Sequence, residues 1–283
     1  MRDLAGRPDL CAINTATLGF QVPIGETIEA IARHGFGGIS PWRREIESGD
    51  VAAIARQIRD AGLKVASYCR STFIPAATPA QFRANVDDNR RAIRDAAILG
   101  APCFVMVVGG LAEGSKDLAL ARVQVEEATA ELLKFGREMG VRISLEPLHP
   151  VYAADRSCLN TMAQVSGICD RLDPEASDDP WLGQCLDVYH VWWDPDLERQ
   201  IARAGRRIHC FHVCDWRLPS RDPLNDRAMM GDGVIDIRAI RGMVEQAGYR
   251  GFVEVEIFSE LDWWCRPIDE ILSTCKTRFA TAC

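Results

Sequence analysis

The stretch "EMGVRISLEPLHP", residues 138–150, carries the pattern that decides the fold. A periodic segment stops at Gly140, a short apolar run follows, and the run finishes on Glu146 with Pro147 directly behind it. Glycine suits a helix end, because helices often close on a left-handed residue that glycine adopts without a side-chain clash. A run with few polar residues reads as a parallel strand buried on both faces. The order is therefore helix, stop, strand, with a carboxylate at the strand's C-terminal end.

The same handover recurs in "RHGFGGIS", "DAGLKVAS", "ILGAPCFV", "RAGRRIHCF" and "QAGYRGFVEV", with Gly35, Gly62, Gly100, Gly205 and Gly248 as the stops. Segments ahead of such stops carry helical stripes: Val51, Ile54, Ile58 and Ala61; Leu118, Ala121, Val125, Ala128 and Leu132; Ile237, Ile240, Val244 and Ala247. The strands are "LCAINTA", "GGISPW", "KVASYC", "CFVMVV", "VRISLE", "GQCLDVYH", "IHCFHVCD" and "FVEVEIF". Strands alternating with helices imply a parallel sheet, and eight such units predict a closed (β/α)8 TIM barrel, with residues 1–283 as a single domain. An open doubly wound sheet is the alternative, but no Gly-x-Gly-x-x-Gly follows the first strand and no P-loop occurs. Two long connections, "RSTFIPAATPAQF" and "WRLPSRDPLNDRAMMGDG", are expected to cover the C-terminal mouth, where barrel enzymes place their active-site loops.

A formal net charge of -7 argues against nucleic acid or an anionic membrane as the partner and leaves a small molecule as the better fit. The eleven cysteines are scattered without a pairing pattern and read as reduced, mostly buried thiols. The N-terminus lacks a signal-peptide profile, and no apolar run approaches the ~20 residues of a membrane span. A cytoplasmic protein is the expectation.

Glu146 has company. Asp187 in "CLDVYH", His212 in "FHVCD" and Glu256 in "EVEIF" end the next three strands, and in a barrel those ends converge. One acidic residue at a strand end is most often a cap or salt bridge. Four ligand-type residues in consecutive units point instead to a divalent cation, which relieves the repulsion of buried carboxylates. Three carboxylates and an imidazole suit Mn, Mg, Co or Zn, the oxygen-rich set favouring Mn or Mg. Cys210, Cys214 and His212 are weaker as a zinc site, since no second cysteine pair complements them. Glu254 shares the inward face with Glu256 and needs a partner inside the barrel.

Other side chains are expected at the mouth. Trp42, Arg43 and Arg70 follow the second and third strands, the tryptophan suited to a sugar face and the arginines to a carboxylate or phosphate, with a rim tryptophan and surface salt bridges as equal alternatives. His149 and Arg156, in "LHPVYAADR", are candidates for substrate hydroxyl or carboxylate groups, with loop anchoring as the plain alternative. His34 is expected at a helix C-terminus and His209 within a packed strand.

At "LEPLHP", "LDVYH", "HVCD", "GDGVIDIRAI" and "GYRGFVEVEIFS" the chain resembles the xylose isomerase-like TIM-barrel superfamily, in its sugar-phosphate isomerase/epimerase branch, related to ketose 3-epimerases and inosose dehydratases. The resemblance implies that Glu146, Asp187, His212 and Glu256 hold one metal ion. It also implies that Glu146 and Glu256 act as base and acid on opposite faces of the substrate. By the same resemblance His190, in the family's Asp-x-x-His pattern, and Arg217 bind substrate oxygens, and the chain forms a homo-oligomer, dimer or tetramer. The expected activity is isomerisation or epimerisation of a keto sugar by proton abstraction beside a carbonyl. A dehydratase or lyase acting on a 3-keto sugar or inosose is the runner-up, and a non-catalytic, metal-stabilised sugar-binding subunit a third reading. The endonuclease relatives of this barrel need more histidines than the five present and ligands where this chain has "PWR" and "YCR".

Overall fold

In a computed structural model, described for residues 1–174 and 179–283, nine parallel strand segments form one sheet. They are β1 (Cys11–Asn14), β2 (Gly38–Ser40), β3 (Lys64–Val65), β4 (Tyr68–Cys69), β5 (Cys103–Met106), β6 (Arg142–Leu145), β7 (Leu182–Asp187), β8 (Ile208–Val213) and β9 (Val253–Val255). The order β3-β2-β1-β9-β8-β7-β6-β5-β4 begins and ends on two pieces of one chain segment. The expected third strand is thus split: β3 pairs with β2, β4 pairs with β5, and a Trp42–Cys69 bridge joins the two edges. Eight strands with the third one broken make the (β/α)8 barrel, and a doubly wound sheet is excluded.

The helices that wrap the barrel are α1 (Ile24–Arg33), α3 (Val51–Asp60), α4 (Pro79–Leu99), α5 (Leu118–Met139), α6 (Met162–Leu172), α8 (Leu197–Ala204), α9 (Ile237–Gln246) and α10 (Ile268–Ala282). Single turns α2 (Arg43–Ile46) and α7 (Val188–Val191) sit at the mouth. The helix α4 shows why the sequence folds as read. Thr78 caps its first turn, Pro79 occupies a position that needs no N–H donor, and Gly100 closes it at φ 74°, ψ 26°. All six proposed glycine stops have positive φ. The stripes face inward as expected: Ile54 and Ile58 on α3, Ala121, Val125, Ala128 and Leu132 on α5, and Ile237, Ile240 and Val244 on α9 are buried. Among the described residues no helix is long and apolar enough to cross a membrane.

One apolar core lies between barrel and helices, and a second, smaller one fills the barrel itself with Cys69, Cys103, Val105, Cys185 and Cys210 beneath Trp42. Cysteine acts there as a small hydrophobe, leaving room on the same inward face for longer polar side chains. All eleven cysteines are free and ten are buried, Cys265 being exposed.

The long connection after β8 is pinned by Asp215. One carboxylate oxygen accepts from the N–H groups of Trp216 and Ile235, the other from those of Gly231 and Gly233, each at 2.9 Å. Gly233 has to be glycine, because a Cβ would collide with Trp216 O and Asp215 Oδ1. The Tyr152 and Tyr189 hydroxyls both donate to Pro223 O, tying the loop's far side down. Asp215→Ala strands four N–H donors, so stability is expected to fall by about 3 kcal/mol. Trypsin should then cut at Arg217 or Arg221 in the folded variant. Cleavage no faster than in the wild type would show that Asp215 does not hold the loop.

Candidate metal and substrate site

The strands position the cluster through pairing and alternation. Asp187 lies level with His212 in the β7–β8 register, and His212 lies level with Glu254 in the β8–β9 register. Glu146 and Glu256 follow β6 and β9 directly. Alternation aims Glu254 and Glu256 inward at successive heights, and both are buried, as are Glu146, Asp187 and His212.

Glu146, Asp187, His212 and Glu256 each offer one ligand atom, and these atoms lie within 4.8 Å of one another. His212 Nδ1 is 3.5 Å from Glu256 Oε2 and 3.8 Å from Glu146 Oε1. Two donors bonded to one ion at about 2.1 Å stand roughly 3 to 4 Å apart, and the His212 separations from Glu256 and Glu146 already fall in that range. The donor chemistry also fits: three carboxylates and an imidazole match a divalent ion.

The other ring nitrogen of His212 answers what Glu254 does. Nε2 lies 3.0 Å from Glu254 Oε1, which also accepts from Asn14 Nδ2 at 3.0 Å, while Ser67 Oγ donates to both oxygens of Glu254. An N–H on Nε2 donates to Glu254 and leaves Nδ1 facing the upper carboxylates, the arrangement by which a carboxylate orients a ligand histidine. Asn14 Nδ2 also donates to Glu256 Oε1 at 3.0 Å, linking the two layers.

A buried arginine completes the cluster. Arg227 Nη1 is 2.7 Å from Asp187 Oδ2 and 3.2 Å from Glu256 Oε2, and Nη2 is 3.2 Å from His190 Nε2. Its guanidinium lies against the rings of Tyr189 and Phe258. The charges sort the carboxyls. Burial and the adjacent Glu256 push Glu146 well above the usual carboxylate range. Burial raises Asp187 against the pull of Arg227. For Glu256 the upward push of burial is outweighed by His212 and Arg227, which hold it below its ordinary value. Burial alone lowers His212, yet Glu254 and Glu256 carry it well above the ordinary imidazole range.

His190 sits on the helical turn α7 rather than at a strand end, because Asp187 ends the strand and caps that turn through Tyr189 N–H at 2.9 Å. Its Nδ1 accepts from His149 N–H, and burial holds its pKa well below the ordinary value. His149 is packed between Trp193 and Trp216 and lies outside the chamber above the cluster. Trp42, Arg70, Arg156 and His190 line that chamber. Arg43 ion-pairs with Asp88 and Glu47. Arg217 ion-pairs with Asp226 and Asp262, away from the four ligand-type residues, and the arginine that reaches them is Arg227, ten residues further on. Nothing in the local pattern around Arg227 marks it. The available signal is the "GDG" after it, which with Asp215 folds the loop back over the mouth. His34 caps α1 and pairs with Asp269, and His209 Nε2 bonds Pro180 O.

The fold is thus a parallel barrel whose C-terminal mouth gathers three carboxylates and an imidazole into a set that could hold a divalent cation. The chain belongs to the xylose isomerase-like TIM barrel family, whose model matches residues 28–274. The crystal structure of protein SMc04130 from Sinorhizobium meliloti 1021 is 46% identical and superposes with a TM-score of 0.94 over 98% of this chain and 99% of that one. The 3-dehydroshikimate dehydratase of Pseudomonas putida is 23% identical over 254 residues, which is 87% of this chain and 38% of that protein. This chain thus spans well under half the length of the curated relatives it matches. The crystal structure of the IOLI protein with a binding zinc atom shares the fold, with a TM-score of 0.80 at 19% identity over 96% of this chain and 98% of that one.

Proposed function

We propose that this chain is a divalent-metal-dependent enzyme that removes a proton beside the carbonyl of a small keto sugar or sugar derivative and returns it as an isomerase or epimerase. The observation that carries this reading is that Glu146 and Glu256 both line one chamber and belong to a set of four donors that fits one cation. An ion held by Glu146, Asp187, His212 and Glu256, with Mn or Mg favoured by the oxygen-rich set, supplies Lewis acidity toward a carbonyl oxygen. Glu146 and Glu256 move the proton, one taking it from carbon and the other delivering it. His190 and Arg227 orient substrate oxygens, Trp42 covers an apolar face of the substrate, and Glu254 keeps the His212 ring in one orientation.

A second reading, in which removal of the α-proton is followed by departure of the hydroxyl on the neighbouring carbon with a returned proton, so that water is lost, is favoured by the curated relatives, which are dehydratases. Arg70 and Arg156, lining the chamber, suit an acidic substrate of that kind. One experiment addresses both: the full chain loaded with Mn or Mg is incubated in deuterated water with ketoses, 3-keto sugars, inososes and cyclic keto acids. Deuterium at the carbon beside the carbonyl, with an isomeric product, is the expected result. An enone product selects the dehydratase. No exchange with the metal bound would leave a sugar-binding subunit as the reading.

A further inference from the structure

The cations around the mouth divide into two kinds. Arg43, Arg217 and Arg227 each have carboxylate partners. Arg70 and Arg156 line the chamber beside Glu146 and have no carboxylate within ion-pair distance among the described residues. Arg70 donates from Nη1 to Ser71 O at 3.2 Å, and its Nε is buried without an acceptor. Its guanidinium stands 4.8 Å from the Phe73 ring and 5.8 Å from that of Trp42, and Arg156 lies 6.0 Å from Tyr152. Aromatic rings thus flank both groups, and the Arg156 guanidinium has no hydrogen-bond partner among the described residues. Burial, and then the charge of Arg156, lower the pKa of Arg70, so the two cations disfavour each other.

Two half-buried cations that repel, facing one chamber without an ion-pair partner and with only the more distant Glu146 as countercharge, are a cost that a ligand's negative charge would relieve. We infer that the substrate carries a carboxylate and that Arg70 and Arg156 bind it, so that the molecule turned over is a keto acid of carbohydrate type. The inference rests on the proton-abstraction site proposed above. A planar carboxylate matches the paired N–H donors of a guanidinium bidentately. A phosphate dianion would bring a second negative charge toward Glu146 and Glu256, which the site already crowds with carboxyls.

The test is calorimetry on the Mn-loaded full chain with three matched pairs, gluconate and sorbitol, quinate and myo-inositol, glucuronate and glucose, with glucose 6-phosphate as a separate arm. At least one acid is expected to bind tenfold or more tighter than its neutral partner. That preference should shrink to within about twofold in both Arg70→Gln and Arg156→Gln, while Mn affinity stays at the wild-type value, which also reports that the variants are folded. Neutral members binding as well as the acids, no acid binding at all, or an acid preference that survives both substitutions overturns the inference, and so does tighter binding of the phosphate than of every carboxylate. Failure of the underlying reading looks different: wild-type chain that takes up no metal, or that binds metal and exchanges the α-proton of no keto compound in deuterated water, counts against the proton-abstraction site and not against the anion subsite.

Discussion

Glu146→Gln and Glu256→Gln are each expected to lower α-proton exchange by about a thousandfold, the range that removal of a positioned acid or base gives. Glutamine keeps an oxygen donor and nearly the same shape but accepts no proton at working pH. Each substitution therefore separates proton transfer from cation binding. The two sites differ in surroundings: Glu256 accepts from Asn14 and Arg227, whereas the charged neighbours of Glu146 include Glu256 itself. Glu256→Gln therefore places a neutral amide where Arg227 expects a carboxylate and should weaken Mn binding by the larger factor. Mn titration followed by exchange at saturating metal distinguishes the two effects. Exchange within about tenfold of wild type in both variants, with Mn bound, would remove the two glutamates from the chemistry.

Much of the fold was legible because local physics and global packing agree. The α-to-β handovers at Gly100 and Gly140 rest on a backbone conformation that few other residues adopt, and the inward stripes of α3, α5 and α9 follow from helical period alone. The strand ends carrying Glu146, Asp187, His212 and Glu256 could be read because a strand's direction and a barrel's closure decide where its last residue points. What could not be read depends on contacts between distant segments. Arg43 and Arg70 look equivalent in sequence, yet Asp88, 45 positions from Arg43, neutralises the first and nothing comparable meets the second. Arg217 is near His212 along the chain, but Asp215 turns the loop so that Arg227 arrives at the carboxylates. The break of the third strand has no glycine or proline to announce it. It falls where Ser67 turns inward to donate to Glu254, a pairing across 187 residues. The partner of Glu254 was hidden for the same reason, since strand alternation gives a direction and not a neighbour.

Arg227→Met is expected to destabilise the metal-free protein by about 3–5 kcal/mol, the cost typical of removing one member of a buried ion pair and leaving the other without its countercharge. Four carboxyls, those of Glu146, Asp187, Glu254 and Glu256, are buried within this region, and the cationic groups that meet them are Arg227 and His212. Methionine fills much of the arginine's volume and keeps contact with the rings of Tyr189 and Phe258, so the loss reports charge more than packing. If the four-donor set binds a divalent ion, that ion offsets the same negative charge, and saturating Mn should restore most of the lost stability in the variant while raising wild-type stability less. Thermal unfolding of both proteins after chelation, and again with Mn, makes the comparison. A deficit in Arg227→Met that is unchanged by Mn would mean that the arginine and the ion do not share the carboxylates, and that the cluster is held together by Arg227 as a structural ion pair rather than poised for a metal.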